Sequence, residues 1–146
     1  MHTIDVLLHG FFGRSNRGFL GWSGIYLVTT PSDRRLLFDT GGYNERGTIP
    51  KLLEAHGIGV AAIDWVVLSH LHFDHAANWD LFPNAHLVVH EKEIAYAQDT
   101  DDHAILRYHA RALLANNRLH LIREESSILE DGVQLIHVPG HPEKSG

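Results

Sequence analysis

The sequence predicts an α/β fold with a mixed β-sheet, in a single domain over residues 1–146. The chain has 146 residues, of which 44% are hydrophobic, so it can form one domain with a core of its own. Strand patterns rich in Val, Ile and Leu are interspersed with helical patterns along the chain. One apolar run, Trp65-Val66-Val67-Leu68, is continuous rather than alternating, which is typical of a strand covered on both faces of its sheet.

The N-terminal part is predicted to contain three strands. Residues 3–9 alternate loosely and are rich in Ile, Val and Leu. Residues 25–30 and 36–39 form two further strand patterns, and the segment between them carries Pro31 and Asp33 in positions that favour a turn. These three segments therefore begin the predicted sheet.

Helical patterns follow these strands. Residues 48–56 predict an amphipathic helix, with Thr48 as N-cap and Gly57 after the last turn. Residues 104–116 predict a helix with an apolar stripe, and an acidic, polar segment, residues 98–102, precedes it. The other predicted elements are strands over 64–69, 85–90, 119–123, 128–129 and 133–138 and a helix over 91–97.

Composition and charge exclude several classes of function. The net charge is −6 and the basic residues are scattered, which argues against nucleic-acid binding, since that needs a basic face. No apolar run approaches the roughly 18 residues of a membrane helix, and the N-terminus lacks the basic start of a signal peptide, so we expect a cytoplasmic protein without membrane partners. The absence of cysteine excludes disulfides and thiol catalysis and leaves nitrogen and oxygen as metal ligands.

The most distinctive segment is His70-Leu71-His72-Phe73-Asp74-His75. Neutral imidazole is the commonest metal ligand of proteins, and carboxylate oxygen is its usual companion where thiolates are absent. On extended backbone His70 and His72 project from the same side, whereas Asp74 and His75 are expected to start a short helix. Asp74 has an alternative role as a helix cap, but capping does not account for three neighbouring histidines. The segment therefore predicts a metal site, with two ions rather than one.

Two further segments add to this site. Pro139-Gly140-His141 follows a predicted strand, and His141 joined to His70 and His72 gives three imidazoles, an arrangement that leaves zinc one open position for water. Asp39 ends a predicted buried strand. Asp39 either forms a turn that terminates the strand, or its carboxylate orients the loop or a ligand imidazole.

Residues 10–24 form a loop that combines five glycines with four aromatic residues. Glycine supplies backbone freedom and exposed aromatic rings supply contact area, as in a flap that lines a substrate site. A tight hairpin whose rings pack into the core is an equal alternative. The candidate substrate-lining residues are Phe11, Phe12, Phe19 and Trp22.

Three motifs together resemble the metallo-β-lactamase superfamily. Its His-x-His-x-Asp-His signature is similar to residues 70–75, its Asp-Thr-Gly to residues 39–41 and its Pro-Gly-His to residues 139–141. The resemblance implies an αβ/βα sandwich of two similar halves, of which this chain would be the N-terminal half with its mixed β-sheet.

The resemblance also implies roles for individual residues. His70, His72 and His141 would bind the first metal ion, and Asp74 and His75 would contribute to the second. Two divalent ions, zinc foremost with iron or manganese as alternatives, would share a metal-bound hydroxide that attacks a carbonyl carbon. Asp74 would also assist proton transfer to the leaving group.

The implied activity is metal-dependent hydrolysis of an ester, lactone or thioester in a small-molecule substrate. Residues 69–78 most resemble lactonases that open cyclic esters of acylated signals, and thioester hydrolysis of the glyoxalase II kind is the near alternative. Two other hypotheses stay open. One is a di-iron oxidoreductase of the same superfamily, and the other is a non-catalytic metal-binding module.

The sequence departs from the family pattern at its end. The pattern requires a bridging aspartate and a final histidine after Pro-Gly-His, and only five residues follow His141. We therefore expect a domain that is incomplete at Gly146, with an incomplete metal site. Half a sandwich would expose an apolar sheet face, which the missing C-terminal half or a dimer partner would cover.

Overall fold

The structure of the chain, a computed structural model, describes residues 1–140. The strands are β1 (Thr3–Leu8), β2 (Arg14–Ser15), β3 (Gly18–Phe19), β4 (Ile25–Thr29), β5 (Arg35–Phe38), β6 (Trp65–Val67), β7 (His86–His90), β8 (Leu119–Ile122), β9 (Ser126–Ile128) and β10 (Gln134–Ile136). The α-helices are α1 (Ile49–Ala55), α2 (Phe73–Ala76), α3 (Glu91–Gln98) and α4 (Arg107–Leu114).

Six of these strands form one mixed sheet in the order β1-β4-β5-β6-β7-β8. The pairs β1–β4 and β4–β5 are antiparallel, whereas the pairs β5–β6, β6–β7 and β7–β8 are parallel. The prediction of an α/β fold with a mixed sheet is therefore confirmed. Because β5 to β8 are parallel, the segments that follow them emerge at the same edge of the sheet, where ligand sites of open α/β sheets occur.

The main core lies between one face of this sheet and the helices. Leu37, Val66 and Leu87 lie side by side on β5, β6 and β7 and are fully buried. Leu53 of α1 and Leu113 of α4 are equally buried and belong to the same cluster. These apolar side chains fix the strand ends that carry the candidate ligands.

The opposite face of the sheet is covered in part. Leu36, Val67 and Val88 are buried there, although we expected an exposed apolar face. The region of the antiparallel β9–β10 hairpin supplies part of the cover, because three of its apolar side chains pack against this cluster. The partly buried residues from this hairpin region are Leu129, Val133 and Leu135.

Helix α4 differs from the prediction, since it begins at Arg107 rather than at residue 104. Ala104 instead lies in a turn and accepts the Phe73 N–H over 2.8 Å, and Ile105 forms an antiparallel bridge with His72 of the candidate metal segment. Within residues 1–140, no helix is long and apolar enough to cross a membrane.

The glycine-aromatic loop contains the short hairpin of β2 and β3. Its aromatic rings do not enter the core: Phe11, Phe12 and Phe19 are each more than half exposed. The rings pair with one another instead, Phe11 with Trp22 at 5.6 Å between centroids and Phe12 with Phe19 at 5.7 Å. The alternative prediction of a tight hairpin is therefore confirmed for the backbone. Its expectation that the rings pack into the core is wrong.

Candidate metal centre

Asp39 and Ser69 join the ends of two neighbouring parallel strands. Asp39 follows β5 and is 3% exposed, and its φ of 60° lies in the left-handed region that few residues other than glycine adopt. Its carboxylate accepts the Ser69 N–H at Oδ1 and the Ser69 hydroxyl at Oδ2, both over 2.8 Å. A buried carboxylate is thereby satisfied and fixes the backbone just before His70.

The Ser69 hydroxyl also defines the protonation of the His70 ring. Ser69 Oγ donates its single hydrogen to Asp39 and lies 2.9 Å from His70 Nδ1. A hydroxyl that has used its hydrogen can only accept, so Nδ1 of His70 carries the hydrogen and Nε2 carries the lone pair.

His75 is held by the same carboxylate. Its Nδ1 lies 2.7 Å from Asp39 Oδ2, and because a carboxylate accepts, this nitrogen donates and Nε2 is left with the lone pair. Nε2 lies 3.6 Å from Asp74 Oδ2, the neighbouring oxygen donor. Burial opposes protonation of His75, but Asp39, Asp74 and Glu45 outweigh it and raise its pKa above the usual value.

The segment after Asp39 fixes helix α2, which carries Asp74 and His75. The Thr40 N–H and hydroxyl both donate to His75 O, over 2.7 and 3.0 Å. Asn78, which is fully buried, donates its side-chain amide to Thr40 O and Gly42 O over 2.7 and 2.8 Å. The loop after β5 therefore sets the position of α2 through backbone groups.

His72 is held from the opposite side. Its Nε2 lies 3.1 Å from Asp102 Oδ2 in the segment between α3 and α4. Since the carboxylate accepts, Nε2 carries the hydrogen and Nδ1 the lone pair, the reverse of the arrangement in His70 and His75.

The three imidazoles lie together at the end of β6. The His70 ring centroid is 4.7 Å from that of His72 and 4.0 Å from that of His75. Three nitrogen lone pairs and the Asp74 carboxylate form a donor set that suits borderline divalent cations such as zinc or iron. The residues therefore fit the predicted metal chemistry.

The described residues do not complete a metal site by themselves. Within residues 1–140, no three histidine or acidic side chains converge to hold one ion. The predicted division gives each ion only two ligands from this part of the chain, and the predicted third imidazole, His141, lies outside the described residues.

A cavity of about 460 Å³ opens beside these side chains. On one side it is lined by His72, Asp74 and His75, with Phe73 between them. The aromatic loop forms the other side, so the structure brings the predicted substrate-lining residues to the predicted metal segment. These loop residues are Phe11, Phe12, Phe19 and Trp22.

Sequence reasoning assigned no role to Ser69 and Asp102, whose side chains contact the rings of candidate ligand histidines. Ser69 directly precedes His70, so its position in sequence was a usable signal. Asp102 lies 30 residues after His72, within the acidic, polar segment over residues 98–102. No local spacing links Asp102 to His72, because the contact depends on how α3 and α4 return to the sheet edge.

Comparisons with known proteins agree with the fold. The family model described as "Metallo-beta-lactamase superfamily" matches residues 23–146. An N-acyl homoserine lactonase of a Bacillus species is 31% identical over 97 residues, which are 66% of this chain and 36% of that protein. The chain thus matches little more than a third of the length of that relative.

Two solved structures show the same architecture. A metallo-β-lactamase-type protein of Thermotoga maritima has a TM-score of 0.72 at 22% identity, covering 89% of this chain and 63% of the other. A quorum-quenching N-acyl homoserine lactone hydrolase has a TM-score of 0.67 at 25% identity, covering 81% of this chain and 51% of the other. The folds of these structures, the family match and the histidine cluster at the sheet edge all agree. The chain therefore belongs to the metallo-β-lactamase superfamily.

Proposed function

We propose that this chain forms the N-terminal part of a two-metal hydrolase that opens the lactone ring of an acylated small molecule. The observation that carries the proposal is the hydrogen bonding of the three imidazoles at the end of β6. Each donates one ring N–H to an oxygen, which sets the tautomer and leaves the opposite lone pair available to a metal ion.

The ligands divide between two ions in the proposal. His70 and His72, with His141, would hold the first ion, and Asp74 and His75 would contribute to the second. A bridging aspartate and a final histidine would come from sequence beyond Gly146. Bound divalent ions polarise a carbonyl oxygen and lower the pKa of water, which is the chemistry that lactone hydrolysis needs.

The protein residues then supply position and proton transfer. Asp39 and Ser69 hold His70 and His75 in place, so the donors need little rearrangement when a substrate arrives. Asp74 is half-buried at the cavity wall, where its carboxylate can carry a proton to the leaving oxygen of the opened ring.

The cavity supports an acylated substrate. Its volume of about 460 Å³ falls within the range of about 300–1,000 Å³ that is usual for small-molecule sites. Phe11, Phe12 and Phe19 give one wall an apolar surface suited to an alkyl chain, while the carbonyl end would face His72 and Asp74. The Bacillus relative, an N-acyl homoserine lactonase, favours the same substrate class.

The test is hydrolysis by the metal-loaded, full-length protein of N-acyl homoserine lactones and of a thioester panel. We expect His72→Ala to lose the lactone-opening activity. His86→Ala is the control and should keep it, because His86 is an exposed histidine that does not line the cavity. A preference for thioesters would instead identify the protein as a thioester hydrolase. Metal binding with no hydrolysis would support the module hypothesis, and a redox-active di-iron spectrum would support the oxidoreductase.

A further inference from the structure

We propose that Asp102 is a positioning residue that holds His72 with Nδ1 directed to the metal. This inference rests on the proposed function, because it takes His72 to be a ligand. It adds a residue from a segment that carries none of the family motifs.

The Asp102 carboxylate is fixed from several directions. Oδ2 accepts from His72 Nε2 over 3.1 Å and from the Tyr96 hydroxyl over 3.2 Å. Oδ1 accepts the Ala104 N–H over 2.9 Å, and the Asp102 N–H donates to Thr100 Oγ1 over 3.2 Å. With both oxygens engaged, the carboxylate cannot turn away from His72 without losing several hydrogen bonds.

The segment around Asp102 is itself tied to the ligand segment. Phe73 N–H donates to Ala104 O over 2.8 Å, and His72 pairs with Ile105 in an antiparallel bridge. Ile105 is 5% exposed and belongs to the main core. Asp102 therefore approaches His72 from a segment that is anchored to the ligand segment and to the core directly after Asp102.

The carboxylate also has the hydrogen-bonding pattern that the role requires. Asp102 accepts at both oxygens, from His72, Tyr96 and the Ala104 N–H, and an ionised carboxylate can only accept. An anionic acceptor on the far nitrogen of a ligand imidazole fixes the ring and strengthens it as a donor. Loss of such a partner typically reduces metal affinity by about 10–100-fold.

A purely structural role for Asp102 makes different predictions. In that case the carboxylate would serve only to brace the turn before α4, through Ala104 and Tyr96. Tyr96→Phe removes one of these bracing bonds without touching His72, and Asp101→Asn removes a neighbouring, fully exposed carboxylate. These two variants are the matched controls.

The experiment measures metal affinity by chelator competition, and the His72 tautomer by nitrogen-15 NMR of the metal-free protein. We expect the wild type to carry the His72 hydrogen on Nε2, and Asp102→Asn to lose about 10–100-fold in affinity for one ion. Asp101→Asn and Tyr96→Phe should stay within a few-fold of the wild type.

A His72 hydrogen on Nδ1 in the wild type would overturn the inference, and this measurement needs no variant to fold. Unchanged affinity in a folded Asp102→Asn would overturn it as well. If the wild type binds no divalent ion, the proposed function fails instead, so the two failures are distinct.

Discussion

His75 Nδ1 lies 2.7 Å from Asp39 Oδ2, and this contact joins the loop after β5 to helix α2. The same carboxylate binds Ser69 at the end of β6. One aspartate thus ties two parallel strands and a short helix together at the sheet edge that carries the candidate ligands.

Replacing Asp39 should destabilise the protein. Asp39→Ala removes the acceptor of the partly buried Ser69 N–H and of His75 Nδ1, and each lost hydrogen bond should cost about 0.5–1.5 kcal/mol. Asp39→Asn keeps an oxygen acceptor and tolerates the φ of 60°, so it should cost less. Urea unfolding of the metal-free protein measures the difference.

Asp33 offers the matched control for this substitution. It also has positive φ, at 61°, but its side chain is 72% exposed. Asp33→Ala should therefore show the cost of the backbone conformation together with the loss of one exposed ion pair to Arg35, which is worth at most about 1 kcal/mol. An equal loss of stability in Asp33→Ala and Asp39→Ala would contradict the role assigned to the Asp39 carboxylate.

Asn78→Ala should also lower the free energy of unfolding, by about 2–3 kcal/mol, because it leaves two buried carbonyl oxygens without their donor. These carbonyls belong to Thr40 and Gly42, so α2 should lose its fixed position as well. Asn84→Ala removes an exposed asparagine with a single bond to Ala61 O and should change stability by less than about 0.5 kcal/mol. Thermal unfolding of both variants checks the contrast.

His90 should make stability depend on pH. Its ring is buried and stacks on His137 at 3.8 Å, and burial, His137 and Lys92 lower its pKa against the opposing effect of Glu91 and Glu125. The unfolded chain therefore binds a proton at higher pH than the folded chain. The contribution of His90 is intact above about pH 6.5 and is lost as pH falls toward its folded pKa.

Replacement of His90 by glutamine removes this titration while keeping a polar side chain. The loss of unfolding free energy between about pH 7 and pH 5 should be smaller in His90→Gln than in the wild type. A parallel pH dependence in the two proteins would show that His90 does not titrate in this way.

The aromatic loop should determine substrate preference rather than stability. Phe12 is 79% exposed, so Phe12→Ala should leave the unfolding midpoint nearly unchanged. It should raise the KM for long-chain acyl lactones by about 3–10-fold, because the acyl chain loses part of one apolar contact. Tyr108→Ala, at an aromatic residue that is 87% exposed and does not line the cavity, should leave KM unchanged.

Most of the architecture was predictable because its signals are local. The continuous apolar run at residues 65–68 indicates the central strand β6, and Asp39, at the end of the neighbouring strand, is open between a strand-terminating turn and an orienting carboxylate. The structure shows Asp39 contacting His75 and Ser69, but only the fold could specify which side chains it would meet.

The unpredicted features depend on contacts between distant segments. The helix pattern over residues 104–116 predicts α4, yet a turn and a single bridge residue replace the first helical turn because Phe73 and His72 bind that segment. The contact of Asp102 with His72 has the same origin. Local propensity predicts neither the later start of α4 nor the Asp102–His72 contact, since both arise when α3 and α4 fold back against the sheet edge.

The most direct test of the account is the divalent metal content of the full-length protein, measured by elemental analysis after dialysis, for the wild type, His72→Ala and His75→Ala. The account predicts two ions per wild-type chain and the loss of at least one ion in each variant, with His86→Ala matching the wild type. A wild type that retains no divalent metal, or variants that keep the wild-type content, would contradict it.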